Sequence, residues 1–134
     1  MAVLLDAGIL YALYDADDAW HVRARELISR EQGLIVPSPV IPEVDHFLHR
    51  RLGATAQTTF YRALVKGDYL IADLPKDKYG RVEELNRQFA SLSLGFVDAA
   101  VIAISEALAL PRIATTDRRH FTPLAAAFSL ELLP

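Results

Sequence analysis

The chain has 134 residues, 52% of them apolar and 23% charged, with 14 basic residues against 17 acidic ones and no cysteine. This is a globular composition. It excludes an extended disordered protein, a disulfide scaffold, a thiolate zinc site and a cysteine nucleophile. The net charge of −3 is the wrong sign for an ordinary nucleic-acid binder, although the cations are 11 Arg and 3 Lys, and Arg is the better phosphate fork.

In chain order, residues 3–5 read as a first strand, and Ile9, Leu10 and Leu13 recur at helical spacing after it. Trp20 and His21 open a charged helix whose apolar residues are Val22, Leu27 and Ile28. A second strand at 34–36 runs into the turn Pro37-Ser38-Pro39 and then into a helix striped by Val40, Ile41, Val44, Phe47, Leu48 and Leu52. Residues 55–65 form an amphipathic helix, 69–72 a third strand and 79–92 another amphipathic helix. Residues 97–110 are apolar nearly all round, with only Asp98, Ser105 and Glu106 polar, which predicts a helix buried on most sides. A fourth strand at 112–115 and a weaker fifth at 129–133 complete the pattern.

Alternating strands and helices predict an α/β fold: a mainly parallel central sheet of about five strands, flanked by helices. Without repeats or linkers, residues 1–134 read as one domain. The N-terminal run lacks a basic flank and holds Asp6, so it is not read as a signal peptide. No stretch approaches the roughly 18 apolar residues of a membrane helix. The expected location is the cytoplasm, with no membrane partner.

Open parallel sheets bind ligands at the carboxyl ends of their strands, near the switch in strand order. Asp6 ends the first strand, and Thr115-Thr116-Asp117 ends the fourth. Asp98 stands at the start of the buried helix, and Glu43 in the first turns of the helix after strand two. Each acid has a plain structural use as well. Asp6 and Asp98 could cap helices, Asp117 could sit in a turn, and Glu43 could be a solvated helix residue. Four carboxylates in one cleft would repel one another and need a cation. An all-oxygen set without His or Cys selects Mg²⁺ or Mn²⁺. Periodicity does not choose between Glu43 and Asp45, which flank the apolar stripe on opposite sides.

Other chemistries lack their residues. There is no phosphate-binding G-x-x-x-x-G-K-[ST] loop, no G-x-G-x-x-G after the first strand and no G-x-S-x-G elbow. Gly8 stands where a haloacid-dehalogenase-type phosphatase carries its second Asp. His21, His46, His49 and His120 have no zinc spacing, and only His120 lies near the acids.

Asp6 in LLDAGILYALYDADDAWH, Glu43 in VIPEVDHFL, Asp98 in LGFVDAAVIAIS and Asp117 in IATTDRRHF together resemble the PIN-domain superfamily. The closest likeness is to the VapC-type ribonuclease toxins of bacterial toxin–antitoxin pairs. The resemblance spans nearly the whole chain. It implies a three-layer PIN-like fold and a Mg²⁺- or Mn²⁺-dependent endoribonuclease. Asp6, Asp98 and Asp117 would hold the metal, and Glu43 would complete the catalytic pocket. It favours Glu43 over Asp45 as the second acid and leaves Asp45 as either a supporting ligand or a structural neighbour. Where the family often has Ser or Thr after the first Asp, this chain has Ala7, and Thr115 and Thr116 offer hydroxyls instead. Arg118 and Arg119 are the expected RNA contacts. The expected partners are RNA, a second copy of the chain in a homodimer, and a cognate antitoxin, with Phe60, Tyr61, Leu64 and Val65 candidates for a protein-binding surface. Two alternatives are a non-catalytic PIN-like module that binds RNA or protein, and a metal-dependent phosphatase on a similar sheet.

Overall fold

The run at 3–5 becomes β1 (Ala2–Leu5), the central strand of the sheet in a computed structural model that describes residues 1–134. A strand with neighbours on both edges and helices over both faces needs apolar residues at every position. Val3, Leu4 and Leu5 meet that demand, with no exposed surface. β2 (Gly33–Pro37) and β4 (Arg112–Ala114) flank β1, with Leu4 in register with both Ile35 and Ile113. β3 (Leu70–Ala72) and β5 (Glu131–Leu133) are the edges. The order is β3-β2-β1-β4-β5, and every pairing is parallel. All five predicted strands form. The chain leaves β1 toward β2 on one side and reaches β4 on the other, so the switch in strand order lies between β1 and β4.

Seven helices flank the sheet: α1 (Ala7–Tyr14), α2 (His21–Arg30), α3 (Ile41–Leu52), α4 (Ala54–Lys66), α5 (Tyr79–Gln88), α6 (Gly95–Ala107) and α7 (Arg118–Phe128). α1 packs on α2 and α3, α3 on α4, and α5 on α6. α6 buries seven consecutive residues, Ala99–Ser105, as its all-round apolarity predicts.

Several details depart from the sequence pattern. Val22 is 67% exposed, and α2 faces the core through Ala24 and Leu27. The small Ala24 hid that stripe. α5 stops at Gln88, where Phe89 leaves helical geometry (ψ 39°); a 3-10 turn at Ala90–Leu92 follows and ends at the left-handed Ser93 (φ 51°), and Asn86 ties Gly95 in place, accepting from its N–H (2.9 Å) and donating to its carbonyl (3.1 Å). α6 ends at Ala107, before the left-handed Ala109, and leaves Leu108 exposed. On α4, Phe60 is wholly buried while Val65 is exposed.

The sequence pattern did not predict α7. Its apolar residues Phe121, Leu124 and Phe128 do have helical spacing, but Pro123 interrupts them. No helix is long and apolar enough to cross a membrane.

At the amino ends of the strands, the nearly buried Arg112 gathers four elements. It donates to the Ala2 carbonyl, to Glu131 and to Glu31, the residue that ends α2. This clamp fixes the end of the sheet opposite the carboxyl ends, where the acids collect.

Candidate active site

Asp6 leaves β1 and begins α1, with 7% of its surface exposed. Its two oxygens are held by two donors. The Ala7 N–H donates to Oδ1 (2.9 Å) and the Thr115 hydroxyl donates to Oδ2 (2.8 Å). Thr115 thus supplies the hydroxyl that Ala7 lacks. The Thr115 oxygen also accepts the Asp117 N–H (3.0 Å), which links the ends of β1 and β4 across the switch point. Burial pushes the Asp6 carboxyl above its ordinary range, against the pull of those two hydrogen bonds.

Asp117 is the N-cap of α7, its Oδ1 accepting the His120 N–H at 3.0 Å. Asp98 is in the first turn of α6 but does not cap it; the N-cap position is Leu94. Instead Asp98 Oδ2 accepts from His120 Nδ1 at 2.7 Å, and Asp117 Oδ2 lies 3.0 Å from the same nitrogen. Burial, then the negative charge of Asp6, raise Asp98 to about 6. Glu43 approaches from α3, and burial followed by repulsion from Asp6 raises it as well. Each of these shifts favours the protonated acid: burial is the leading cause in all three, and repulsion from a neighbouring carboxylate adds to it.

Asp6, Glu43, Asp98 and Asp117 all line one cavity of about 290 Å³, which Thr116 also borders. Gly8 is there because the backbone runs against Thr116: a Cβ at position 8 would lie 2.1 Å from the Thr116 Oγ1. Asp98, Asp117 and His120 each place one ligand atom within 4.8 Å of the others. This group brings in a histidine, against the all-oxygen expectation, and does not include Asp6; its two carboxylates suit a hard divalent cation, while His120 Nδ1 is the donor to Asp98.

Asp45 does not line the cavity. It accepts hydrogen bonds from Tyr61 and Gln57 of α4, which hold its carboxyl below the ordinary range, so it joins α3 to α4. Arg118 and Arg119 do not line the cavity either. Arg118 donates to the Pro134 carbonyl (2.7 Å), while Arg119 is exposed. The cavity's cation is Arg51, and its aromatic walls are Tyr11, Trp20 and Phe47. The signal for Arg51 was present: Glu43, Phe47 and Arg51 stand at i, i+4 and i+8, one face of α3.

A family model described as PIN domain matches residues 3–126. The chain belongs to the PIN-domain family. Among PIN relatives, ribonuclease VapC26 of Mycobacterium tuberculosis is 27% identical over 123 residues, 91% of each chain. The crystal structure of VapC20 from the same organism, described as a sarcin–ricin loop cleaving toxin, superposes with a TM-score of 0.84. It is 21% identical, over 99% of this chain and 100% of that one. A toxin–antitoxin complex from Klebsiella pneumoniae contains a chain with a TM-score of 0.75 and 16% identity, matched over 99% of this chain and 97% of that one.

Proposed function

We propose that residues 1–134 act as a single PIN ribonuclease domain, a Mg²⁺- or Mn²⁺-dependent endoribonuclease that is the toxin of a toxin–antitoxin pair. The observation that carries this reading is the convergence of Asp6, Glu43, Asp98 and Asp117 on one cavity at the switch point of a PIN-family sheet. The ribonuclease VapC26 and the toxins among the structural relatives support the same chemistry and an antitoxin partner. The active form is a cytoplasmic homodimer.

Asp6, Asp98 and Asp117 would hold the cation, with Glu43 completing the acidic pocket. A divalent ion there supplies water activation and neutralises charge at the scissile phosphate. The chain's own residues do the positioning. Thr115 and the Ala7 N–H fix both oxygens of Asp6, and the His120 N–H anchors one oxygen of Asp117. His120 orients Asp98 through Nδ1.

The test is cleavage of single-stranded RNA by rigorously purified protein. Cleavage is expected in Mg²⁺ or Mn²⁺ and none in excess EDTA, with p-nitrophenyl phosphate left intact in all conditions. Undiminished cleavage in EDTA refutes the reading.

A further inference from the structure

A cleft lined by five carboxylates, Asp18 as well as the four acids above, repels the phosphates of its own substrate, so something beside the acids must attract RNA. Arg51 is the only Lys or Arg lining that cavity. The arginines engaged in ion pairs are Arg81, Arg87 and Arg112, none of which reaches it. The Arg51 guanidinium is held by rings, 4.8 Å from the Phe47 centroid and 5.1 Å from that of Tyr11. Rings hold a guanidinium in place without neutralising it. Arg51 makes no ion pair, although the Tyr11 hydroxyl and the Asp15 carboxylate lie near it, so its N–H fork can take a phosphate.

Trp20 lines the same cavity, where an indole has no chemistry to offer the acids. It is half-buried, packed on the core along one edge, with the exposed Arg23 lying 3.9 Å over its ring and Arg118 5.9 Å away. The nearer cap, Arg23, is an exposed side chain, and the face it covers is a surface a nucleobase can take over. Base–aromatic stacking is the usual way proteins hold unpaired nucleotides.

We propose that Trp20 and Arg51 form a nucleotide subsite flanking the acidic centre. Trp20 stacks an unpaired base next to the cleaved bond, and Arg51 binds a neighbouring backbone phosphate. The base displaces Arg23 from the indole, and Arg23 and Arg118 remain as a positive rim. This inference rests on the ribonuclease reading and deepens it. It assigns recognition to two residues outside the acid set.

Trp20 is the chain's single tryptophan, so intrinsic fluorescence reports this residue alone. The wild-type chain is titrated with a uridylate octamer in Ca²⁺, with binding followed in parallel by anisotropy of a labelled octamer. A self-complementary RNA duplex is titrated the same way. The expected result is a saturable fluorescence change with the single strand, at the same midpoint as the anisotropy, and a much smaller change with the duplex. Arg51→Ala should weaken binding and reduce the salt slope by about one. Trp20→Ala should weaken it roughly five- to hundredfold, and Trp20→Phe, which keeps a stacking ring and the packing, should recover most of the loss. Melting curves of each variant exclude unfolding as the cause.

Binding or cleavage with no change in Trp20 fluorescence overturns the subsite and leaves the ribonuclease reading standing. So does a Trp20→Ala protein that is folded and binds normally. A full fluorescence response from a protein that cleaves no RNA in Mg²⁺ or Mn²⁺ keeps the subsite and overturns the ribonuclease reading. No response and no binding overturns the subsite outright.

Discussion

Asp98→Asn should stabilise the metal-free protein while abolishing its chemistry. In the folded chain Asp98 titrates near 6 rather than 3.8, because it is buried beside Asp6. That difference of about two units is worth about 3 kcal/mol at neutral pH, at 1.36 kcal/mol per unit. Asn carries no charge and still offers His120 an oxygen, though a weaker acceptor than a carboxylate. The net gain is therefore about 1–3 kcal/mol, or roughly 3–10 °C in Tm for a chain of this size. The pH dependence follows from the direction of the shift. Between about 4 and about 6 the folded state holds a proton that the unfolded state has lost, so wild-type stability falls as pH rises through that window. The advantage of Asp98→Asn should be complete at pH 7–8, shrink below 6 and vanish near 4. Saturating Mg²⁺ should raise the wild-type Tm by more than that of the variant, because the ion binds the folded state with one ligand fewer in the variant. The assay is thermal melting of both proteins in EDTA and in Mg²⁺ across that pH range, with RNA cleavage alongside. A variant that melts like wild type in EDTA at pH 7.5, or that gains equally from metal, would refute the argument that Asp98 is one of a set of repelling acids.

Three further outcomes test the frame around the acids. Thr115→Val keeps the shape but leaves Asp6 Oδ2 and the Asp117 N–H without their partner, so it should cost about 1–3 kcal/mol and depress cleavage, with Thr115→Ser recovering both. Denaturant melts and cleavage rates check it. Gly8→Ala drives a methyl against the Thr116 hydroxyl and should cost about 1–3 kcal/mol and displace the strand end that carries Asp117. Thr116→Ala in the same chain should recover much of the loss by removing the clashing oxygen, as melts of the single and double variants would show. Asp45→Asn should weaken the contact of α3 with α4 by about 1 kcal/mol and leave cleavage of RNA by the folded protein unchanged, whereas Glu43→Gln should reduce cleavage by orders of magnitude.

The sheet was legible because its strands are short apolar runs separated by helical periodicity, and that pattern is imposed by burial on both faces. Four acids were legible because strand ends and helix starts are identifiable positions in such a sheet. What escaped was of two kinds. Ala24 and Pro123 disguise helix faces, the first because a small residue carries little hydrophobic signal, the second because a proline argues against the helix it occupies. Asp45 and Glu43 flank one stripe, and which flank meets the cleft depends on where α4 packs. The hydrogen bonds from Gln57 and Tyr61 settle that through contacts made across 12 and 16 residues of chain. Arg51 and Trp20 escaped because their significance comes from the cavity they share with the acids, which only the fold assembles.

Two readings that compete on paper, helix cap and site acid, are both true of Asp6 and Asp117. Each of these residues accepts a backbone N–H at the start of a helix on Oδ1 while its carboxylate borders the cleft; Oδ2 of Asp6 also accepts the Thr115 hydroxyl, and Oδ2 of Asp117 lies 3.0 Å from His120 Nδ1. The helix starts also place partial positive charge beside the acids, which helps a crowded cluster remain folded without metal. The two roles separate by mutation at Asp117. Asn caps about as well as Asp, and Ala does not cap. Asp117→Asn and Asp117→Ala should therefore lose RNA cleavage alike, by orders of magnitude, because both remove the charged oxygen from the cavity. Their stabilities should part: the Ala variant should be about 1 kcal/mol less stable than the Asn variant in EDTA, the worth of one cap. Denaturant melts measure the difference and a cleavage assay measures the equality. An Asn variant that cleaves at the wild-type rate would reduce Asp117 to a cap, and an Ala variant as stable as the Asn variant would reduce it to a site acid alone.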